Sequence, residues 1–136
     1  MSGATDQGRQ LLAMVPFAET LGVEMVTATP EEVRAQVAWE PSRCTAAGVL
    51  HGGVIMGLAD TTGAISAFLN LPSGASGTAT IESKTNFFRA VREGYVEAIS
   101  RPLHVGGSTI VVESDVFDSQ GRRVAKVIQT QAVLGR

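Results

Sequence analysis

The segment HGGVIMGLADTTGAISAFLN, residues 51–70, restricts the possible folds more than any other part of the chain. It opens on two glycines, carries mainly small and apolar side chains, and contains a single charged residue, Asp60. Such a run predicts a helix that is buried on most of its sides. A carboxylate costs free energy to bury unless other groups satisfy it, so we expect Asp60 to have a specific role.

After this helix, the chain shows the alternation of β-branched and polar side chains that is typical of strands. The four segments are TATIESKTNFFRAV, GYVEAISRPLHVGG, STIVVESDVFDSQG and RRVAKVIQTQAVLG, divided by Glu93-Gly94, Gly106-Gly107 and Gln120-Gly121. Their direct succession predicts an antiparallel meander of four strands.

Two shorter patterns precede the long helix. TDQGRQLLAMVPFAETLG predicts a short N-terminal helix that breaks at Pro16 and ends at Gly22. VEMVTATPEEVRAQVAWEP predicts an antiparallel hairpin that turns at TPEE. The order of elements therefore predicts an α+β fold with a curved antiparallel sheet packed against one long helix. The 136 residues, 44% of them hydrophobic, are expected to form one domain over residues 1–136.

The composition argues against several classes of function. A formal net charge of -2 gives no reason to expect binding to nucleic acid or to an anionic membrane. We expect no secretion signal and no apolar run long enough to cross a bilayer, and therefore a cytoplasmic protein. One cysteine, Cys44, and two histidines argue against a metal site.

HGGVIMGLADT, which opens the long helix, and TATIESKTNFFRAVREG, on the next strand, resemble the hotdog-fold acyl-CoA thioesterases, especially the phenylacetate-pathway (PaaI-like) type. The resemblance covers nearly the whole chain. It implies a hotdog fold and hydrolysis of an acyl-CoA with an aryl-acetyl or short- to medium-chain acyl group. It also implies a homodimer with shared active sites, pairing further into a homotetramer, and no cofactor, because CoA is part of the substrate.

The start of the long helix supplies candidate donors for an oxyanion, because its first backbone N–H groups have no helical acceptor. We assign this role to Gly53, with Gly52 in support, since a thioester carbonyl can approach glycine closely. Asp60 lies about 10 Å further along the helix axis, too far to reach the same carbonyl. We therefore expect Asp60 of one chain to act with Gly53 of a second chain, as nucleophile or as general base.

Four further residues complete the predicted site. Thr80 matches a position where the resembling enzymes often place Ser or Thr near the attacking water. His51 is expected to support the turn before the helix rather than to act as a base, and Thr61 could donate a hydrogen bond to Asp60. Thr45 stands where the family commonly has Asn or Gln, an amide that the resemblance implies would position water, and it offers a shorter hydroxyl instead.

Apolar and basic side chains are candidates for substrate binding. Phe87 and Phe88 could line an acyl pocket, and His104 could lie near the CoA tail. Arginine suits the phosphates of CoA, and the candidates are Arg89, Arg92, Arg101, Arg122 and Arg123. The family often carries a basic residue where this chain has Gly106-Gly107, which leaves an acyl-carrier-protein substrate open.

Two alternatives to thioester hydrolysis stay open at this point. One is a non-catalytic module that binds acyl-CoA or an acyl carrier, although an uncharged residue would serve such a pocket at a lower desolvation cost than Asp60. The other is a hotdog dehydratase, whose usual arrangement of His and acid on one helix is not reproduced, because His51 precedes the glycines.

Overall fold

A computed structural model describes residues 3–135 of the chain. Helices α1 and α2 span Gly3–Ala13 and Pro16–Leu21, strands β1 and β2 span Glu24–Ala28 and Val33–Ala38, and the central helix α3 spans Gly52–Leu69. Four strands follow: β3 at Gly77–Phe87, β4 at Tyr95–Val105, β5 at Thr109–Asp118 and β6 at Arg123–Leu134. The predicted α+β class and order of elements are confirmed.

The N-terminal helix is divided at Pro16, as predicted, because proline lacks the N–H that a continuous helix would need at this position. Gly22 ends α2 in the left-handed conformation with φ 77°. A side chain at Gly22 would be strained there, and it would overlap the guanidinium group of Arg43.

All six strands form one antiparallel sheet in the order β1-β2-β4-β5-β6-β3. The predicted meander is right for β4, β5 and β6 but wrong for β3, which pairs with β6 at the far edge of the sheet. The segment that follows β3 is held by other elements, because Phe88 N–H donates to the Val124 carbonyl and Leu50 N–H donates to the Val91 carbonyl. Residues 88–94 therefore cross from β3 at the edge of the sheet to β4 in its interior, and Glu93-Gly94 does not close a hairpin between these two strands.

The sheet curves around α3 and buries it on most sides, as predicted. The buried residues of α3, from Val54 to Ala67, pack among apolar side chains of the sheet. The sequence predicted no apolar segment long enough to cross a membrane. That expectation is corrected, because α3 has the length of a membrane-spanning helix, 18 residues, and a mean hydropathy of 1.3. Half of that window is buried inside the fold, as in the core helix of a folded domain.

A β-bulge at Ile81 changes which way the side chains of β3 point. Thr80 pairs with Gln131 and Glu82 pairs with Thr130, so Ile81 is the extra residue. Because side chains alternate along a strand, the bulge lets Thr80 and, beyond it, Ser83 both face α3. Strand β3 thereby presents polar side chains to the middle of α3.

Candidate functional site

Asp60 lies on the exposed side of α3, and one of its two carboxylate oxygens is held by hydrogen bonds. Oδ1 accepts from Thr80 Oγ1 at 3.2 Å and from Gln129 Nε2 at 3.3 Å. Gln131 Nε2 in turn donates to Thr80 Oγ1 at 2.7 Å. Across residues 3–135, no group donates a hydrogen bond to Oδ2. The carboxylate is therefore fixed at one oxygen and open at the other.

An apolar cavity of about 290 Å³, called here the Asp60 cavity, opens beside this carboxylate. Its polar lining includes Thr61, which is buried, and Thr78 at the start of β3. The apolar wall comes from α1, α3 and the turn after α1, and its members are Leu11, Met14, Val15, Ala64, Ile65 and Phe68. The cavity can hold an apolar group next to an acid.

His51 caps the start of α3. Its Nδ1 accepts a hydrogen bond from the Gly53 N–H at 2.7 Å, which satisfies one of the donors at the helix start. The predicted oxyanion donor therefore already has an acceptor within the chain. The Gly52 N–H has no acceptor among the described residues 3–135. The role of Gly53 stays a prediction, and the Gly52 N–H is the one without an acceptor among residues 3–135.

A second cavity of about 330 Å³, called the helix-start cavity, lies at this end of α3. It brings together five residues that the sequence analysis singled out: Thr45, Gly52, Phe87, Phe88 and Arg89. The ring of Phe87 approaches Gly52 so closely that a Cβ at Gly52 would lie 3.1 Å from it. Glycine at this position therefore lets the Phe87 ring pack directly against the helix start.

Three of the candidate arginines meet at one place. Arg89, Arg92 and Arg122, with Glu93, line a cleft of about 240 Å³, called the arginine cleft. The cleft shares Arg89 and Ala90 with the helix-start cavity, so the two are adjacent. Arg122 is ion-paired with the buried Asp118, so Arg89 and Arg92 against Glu93 leave the cleft with a small excess of positive charge, which suits phosphate groups.

The remaining basic candidates lie apart from the arginine cleft. Arg101 is ion-paired with Glu32, and the guanidinium of Arg123 lies over the Phe88 ring, 5.5 Å from its centroid. His104 lies near the far end of β4, about 25 Å along the strand from the end that adjoins the cleft. Within one chain the structure does not bring His104 together with the arginine cleft, and its role stays a prediction.

The acid and the helix-start donors occupy different places in a single chain. The Asp60 cavity and the helix-start cavity have no lining residue in common. Along α3, the step from Gly52 to Asp60 is about 12 Å. One chain therefore does not place the carboxylate and the helix-start N–H groups around one carbonyl.

Two residues of this site, Gln129 and Gln131, are absent from the predictions made from the sequence. Both are buried on β6, with 0% and 1% of their surface exposed. The signal was present in VIQTQAV, whose alternation puts both amides on the same face as the buried Val127. Polar side chains at core positions need partners, and here the partners are Asp60 and Thr80.

The arginine cleft is backed by a buried carboxylate, Asp118. Burial raises its pKa, but the backbone N–H and the guanidinium of Arg122, together with the Gln120 N–H, outweigh burial. The pKa of Asp118 therefore lies below its ordinary value of 3.8. Among residues 3–135, no group of three His, Cys, Asp or Glu side chains is placed to hold a metal ion.

Comparison with known proteins shows the family to which the chain belongs. Residues 47–125 match the family described as "Thioesterase superfamily". The proofreading thioesterase EntH of Cronobacter turicensis is 31% identical over 117 residues, which cover 86% of this chain and 85% of that protein. The 1,4-dihydroxy-2-naphthoyl-CoA hydrolase of Escherichia coli is 33% identical over 87 residues, 64% of this chain and 63% of that protein.

Solved structures share the fold of this chain. The structure of the E. coli PaaI protein from the phenylacetic acid degradation operon superposes with a TM-score of 0.83 at 19% identity, covering 98% of this chain and 97% of that one. The family match spans more than half of the chain, and the similarity to EntH extends well beyond it. Together with the sheet wrapped around α3, these similarities show that the chain belongs to the thioesterase superfamily and has the hotdog fold.

Proposed function

We propose that the protein hydrolyses acyl-CoA thioesters with an aryl-acetyl or a short- to medium-chain acyl group, giving the free acid and CoA. Membership of the superfamily supports thioester hydrolysis in general. The observation that carries the finer proposal is the Asp60 carboxylate, held at Oδ1 and open at Oδ2 beside an apolar cavity. The acyl group would occupy the Asp60 cavity, and the thioester carbon would lie next to Oδ2.

Two routes are chemically balanced. In the first, Asp60 Oδ2 takes a proton from water, the hydroxide adds to the thioester carbon, and the intermediate releases CoA as a thiolate that recovers the proton. In the second, Oδ2 itself adds to the carbon and expels the thiolate, and water then hydrolyses the mixed anhydride. In both routes negative charge develops on the carbonyl oxygen, and N–H groups at a helix start would stabilise it.

The arginine cleft supports CoA as the thiol part of the substrate. CoA carries several phosphates, and guanidinium groups bind phosphate with paired, charge-assisted hydrogen bonds. The cleft adjoins the helix-start cavity through Arg89, so a thioester carbonyl at Gly52 and a phosphate at Arg92 belong to one continuous surface. An acyl-carrier protein, with one phosphate on its arm, would use fewer of these groups.

The partner we propose is a second copy of the chain, paired through the β3 edge. Strand β3 is 11 residues long, lies at the edge of the sheet, and carries exposed side chains, among them Ile81 and Phe87. A long exposed edge strand presents unpaired N–H and C=O groups that favour pairing with another strand. A two-fold axis makes such an interface self-complementary.

The charges on β3 support one register. Glu82 and Lys84 are exposed on the same face, and neither forms an ion pair within residues 3–135. Antiparallel self-pairing centred on Ser83 would place Glu82 opposite Lys84 of the partner subunit, and the two-fold axis would form this pair two times. The same register sets Thr80, which holds Asp60, opposite Asn86 of the partner subunit, next to the Phe87 that contacts Gly52 in each chain. Asp60 would then lie near the partner's helix start.

The test is thiol release from a panel of phenylacetyl-, hydroxyphenylacetyl-, benzoyl- and straight-chain acyl-CoAs, with matched acyl-carrier-protein thioesters beside them. Saturable release that favours the CoA series would support the proposal. Faster release from the carrier-protein series would move the substrate class to carrier proteins. Tight binding of acyl-CoA without release would favour the non-catalytic binding module.

A further inference from the structure

Strand β6 contributes two amide side chains to the surroundings of Asp60. Gln129 and Gln131 are fully buried, and they reach Asp60 by different routes. Gln129 Nε2 donates directly to Asp60 Oδ1, whereas Gln131 Nε2 donates to Thr80 Oγ1. Because that oxygen accepts from Gln131, its own hydrogen is free to be donated to Asp60 Oδ1, 3.2 Å away.

Asp60 sets the orientation of the Gln129 amide, and the amide oxygen is left without a hydrogen-bond partner within residues 3–135 as a result. Nε2 lies 3.3 Å from Oδ1 of Asp60 and 3.5 Å from its main-chain carbonyl oxygen, and both oxygens accept, so Nε2 faces Asp60 and Oε1 points away. Oε1 is buried and has no hydrogen-bond partner among the described residues. A buried amide with an unsatisfied oxygen reduces stability, which indicates that the contact of Nε2 with Asp60 has a use beyond folding.

The helix accommodates this amide. Gly63 lies opposite Gln129, and a Cβ at Gly63 would overlap Oε1 of the amide. Glycine in the interior of a helix is unfavourable relative to alanine, so the helix and the strand both contain a locally unfavourable residue at this contact. Both choices keep the Gln129 side chain beside Asp60.

We infer that Gln129 and Gln131 are positioning residues for Asp60, which together hold its Oδ1 so that Oδ2 faces the Asp60 cavity. The inference rests on the proposed function for its catalytic consequence. Within residues 3–135, the groups that bond to the Asp60 carboxylate or line its cavity alongside it are all uncharged, so neutral donors orient the carboxylate there. Gln131 acts only through the Thr80 hydroxyl.

The kinetic test uses Gln129→Met and Gln131→Met, which keep the side-chain volume and remove the donor. Each should lower kcat by about 10- to 100-fold with a change of less than about twofold in KM, because Gln129→Met removes one charge-assisted hydrogen bond to Oδ1 and Gln131→Met leaves the Thr80 hydroxyl that makes the other one unoriented. The matched control is Ser114→Ala, which breaks the buried 2.6 Å contact between the Ser100 and Ser114 hydroxyls and should leave kcat unchanged. An unchanged kcat in both methionine variants, with the fold intact, would overturn the inference.

A double-mutant cycle tests the route through Thr80. Thr80→Val removes the hydroxyl, so adding Gln131→Met to it should cause no further loss of kcat, whereas Thr80→Ser should retain activity. Independent, additive losses from Thr80→Val and Gln131→Met would refute the relay. If Gln129→Met does not fold, this cycle still decides the role of Gln131.

A spectroscopic measurement separates this inference from the proposed hydrolysis. In ¹H–¹⁵N spectra, the side-chain amide signals of Gln129 should move on Asp60→Ala, while those of Gln120, which contacts Glu93, should not. If the wild type hydrolyses no thioester but the Gln129 signals move, the contact stands and the proposed function fails. If the Gln129 signals stay in place, the positioning inference fails, whatever the activity.

Discussion

Thr80 Oγ1 donates a hydrogen bond to Asp60 Oδ1 over 3.2 Å, and this bond joins the edge strand β3 to the middle of the central helix. The acid is thereby attached to the one long strand whose outer edge is unpaired in the sheet. A chain that pairs with β3 would add its own groups within a few residues of Thr80. Assembly and chemistry are therefore expected to depend on the same strand.

Replacing Asp60 tests the chemistry. Asp60→Asn keeps the shape of the side chain and removes its charge, so we expect thiol release to fall at least about 100-fold with the fold unchanged. The control is Asp6→Asn, an exposed acid on α1, which should retain full turnover. Nearly normal turnover of Asp60→Asn would remove this residue from the mechanism.

Reversing charges on β3 tests the assembly. Lys84→Glu would place like charges opposite one another in a pairing centred on Ser83, so sedimentation should show weakened association, and turnover should fall with it. The double variant Glu82→Lys, Lys84→Glu restores opposite charges and should restore both. If the single and the double variant associate as strongly as the wild type, this register is wrong. The same measurement distinguishes a dimer from the predicted homotetramer.

The arginine cleft can be tested with a truncated substrate. Arg92→Ala should raise KM for acyl-CoA by about 3- to 10-fold, because an exposed guanidinium contact with phosphate is partly screened by salt. The N-acetylcysteamine thioester of the same acid has no phosphate and should be unaffected. Arg101→Ala, away from the cleft and paired with Glu32, is the matched control. Equal losses on both substrates would place Arg92 outside CoA binding.

His51 is expected to act on the helix rather than on the substrate. His51→Ala removes the acceptor of the Gly53 N–H, and we expect the free energy of unfolding to drop by about 1 kcal/mol in urea titrations. The loss of kcat should be far smaller than in Asp60→Asn. His104→Ala, at an exposed position, should leave stability unchanged. A loss of kcat as large as that of Asp60→Asn would instead indicate a chemical role for His51.

The buried Asp118 predicts how stability depends on pH. Its pKa is lowered in the folded protein, so the carboxylate stabilises the fold above its ordinary value of 3.8. This contribution is lost as the pH falls through the lower pKa of the folded state. Asp118→Asn should reduce the free energy of unfolding at pH 7 by about 1–3 kcal/mol and flatten its decline below pH 4, measured by urea unfolding. If the free energy of unfolding of Asp118→Asn falls below pH 4 as steeply as that of the wild type, this assignment is wrong.

Local patterns in the sequence were sufficient for much of the fold. The apolar run around Asp60 predicted α3, the alternation around TPEE predicted the first hairpin, and Pro16 predicted the break between α1 and α2. These features depend on residues close together in the chain. The family resemblance predicted a place for Thr80 near the attacking water, and the structure shows its hydroxyl in a hydrogen bond with Asp60.

The features that the sequence did not reveal depend on distant contacts. The pairing of β3 with β6 joins residues that lie about 40 to 60 positions apart, from Phe87 with Ala125 to Gly77 with Leu134, and no local pattern distinguishes it from a meander. The burial of Gln129 followed from alternation, but its target lies 69 positions away. His51 was expected to support the turn before α3, but its particular partner, the Gly53 N–H, depends on which way the imidazole ring turns.

The wall that α1 and its following turn contribute to the Asp60 cavity bears on how relatives of this protein come to accept different acyl groups. Leu11, Met14 and Val15 line that wall, yet none of them bonds to Asp60, and none belongs to the helix-start cavity. If the Asp60 cavity holds the acyl group, as proposed, selectivity for that group is shared between α3 and the segment formed by α1 and its following turn, whereas the reacting carboxylate lies on α3 alone. Exchange of the first fifteen residues between relatives would alter which acids are released while the reacting groups stay in place.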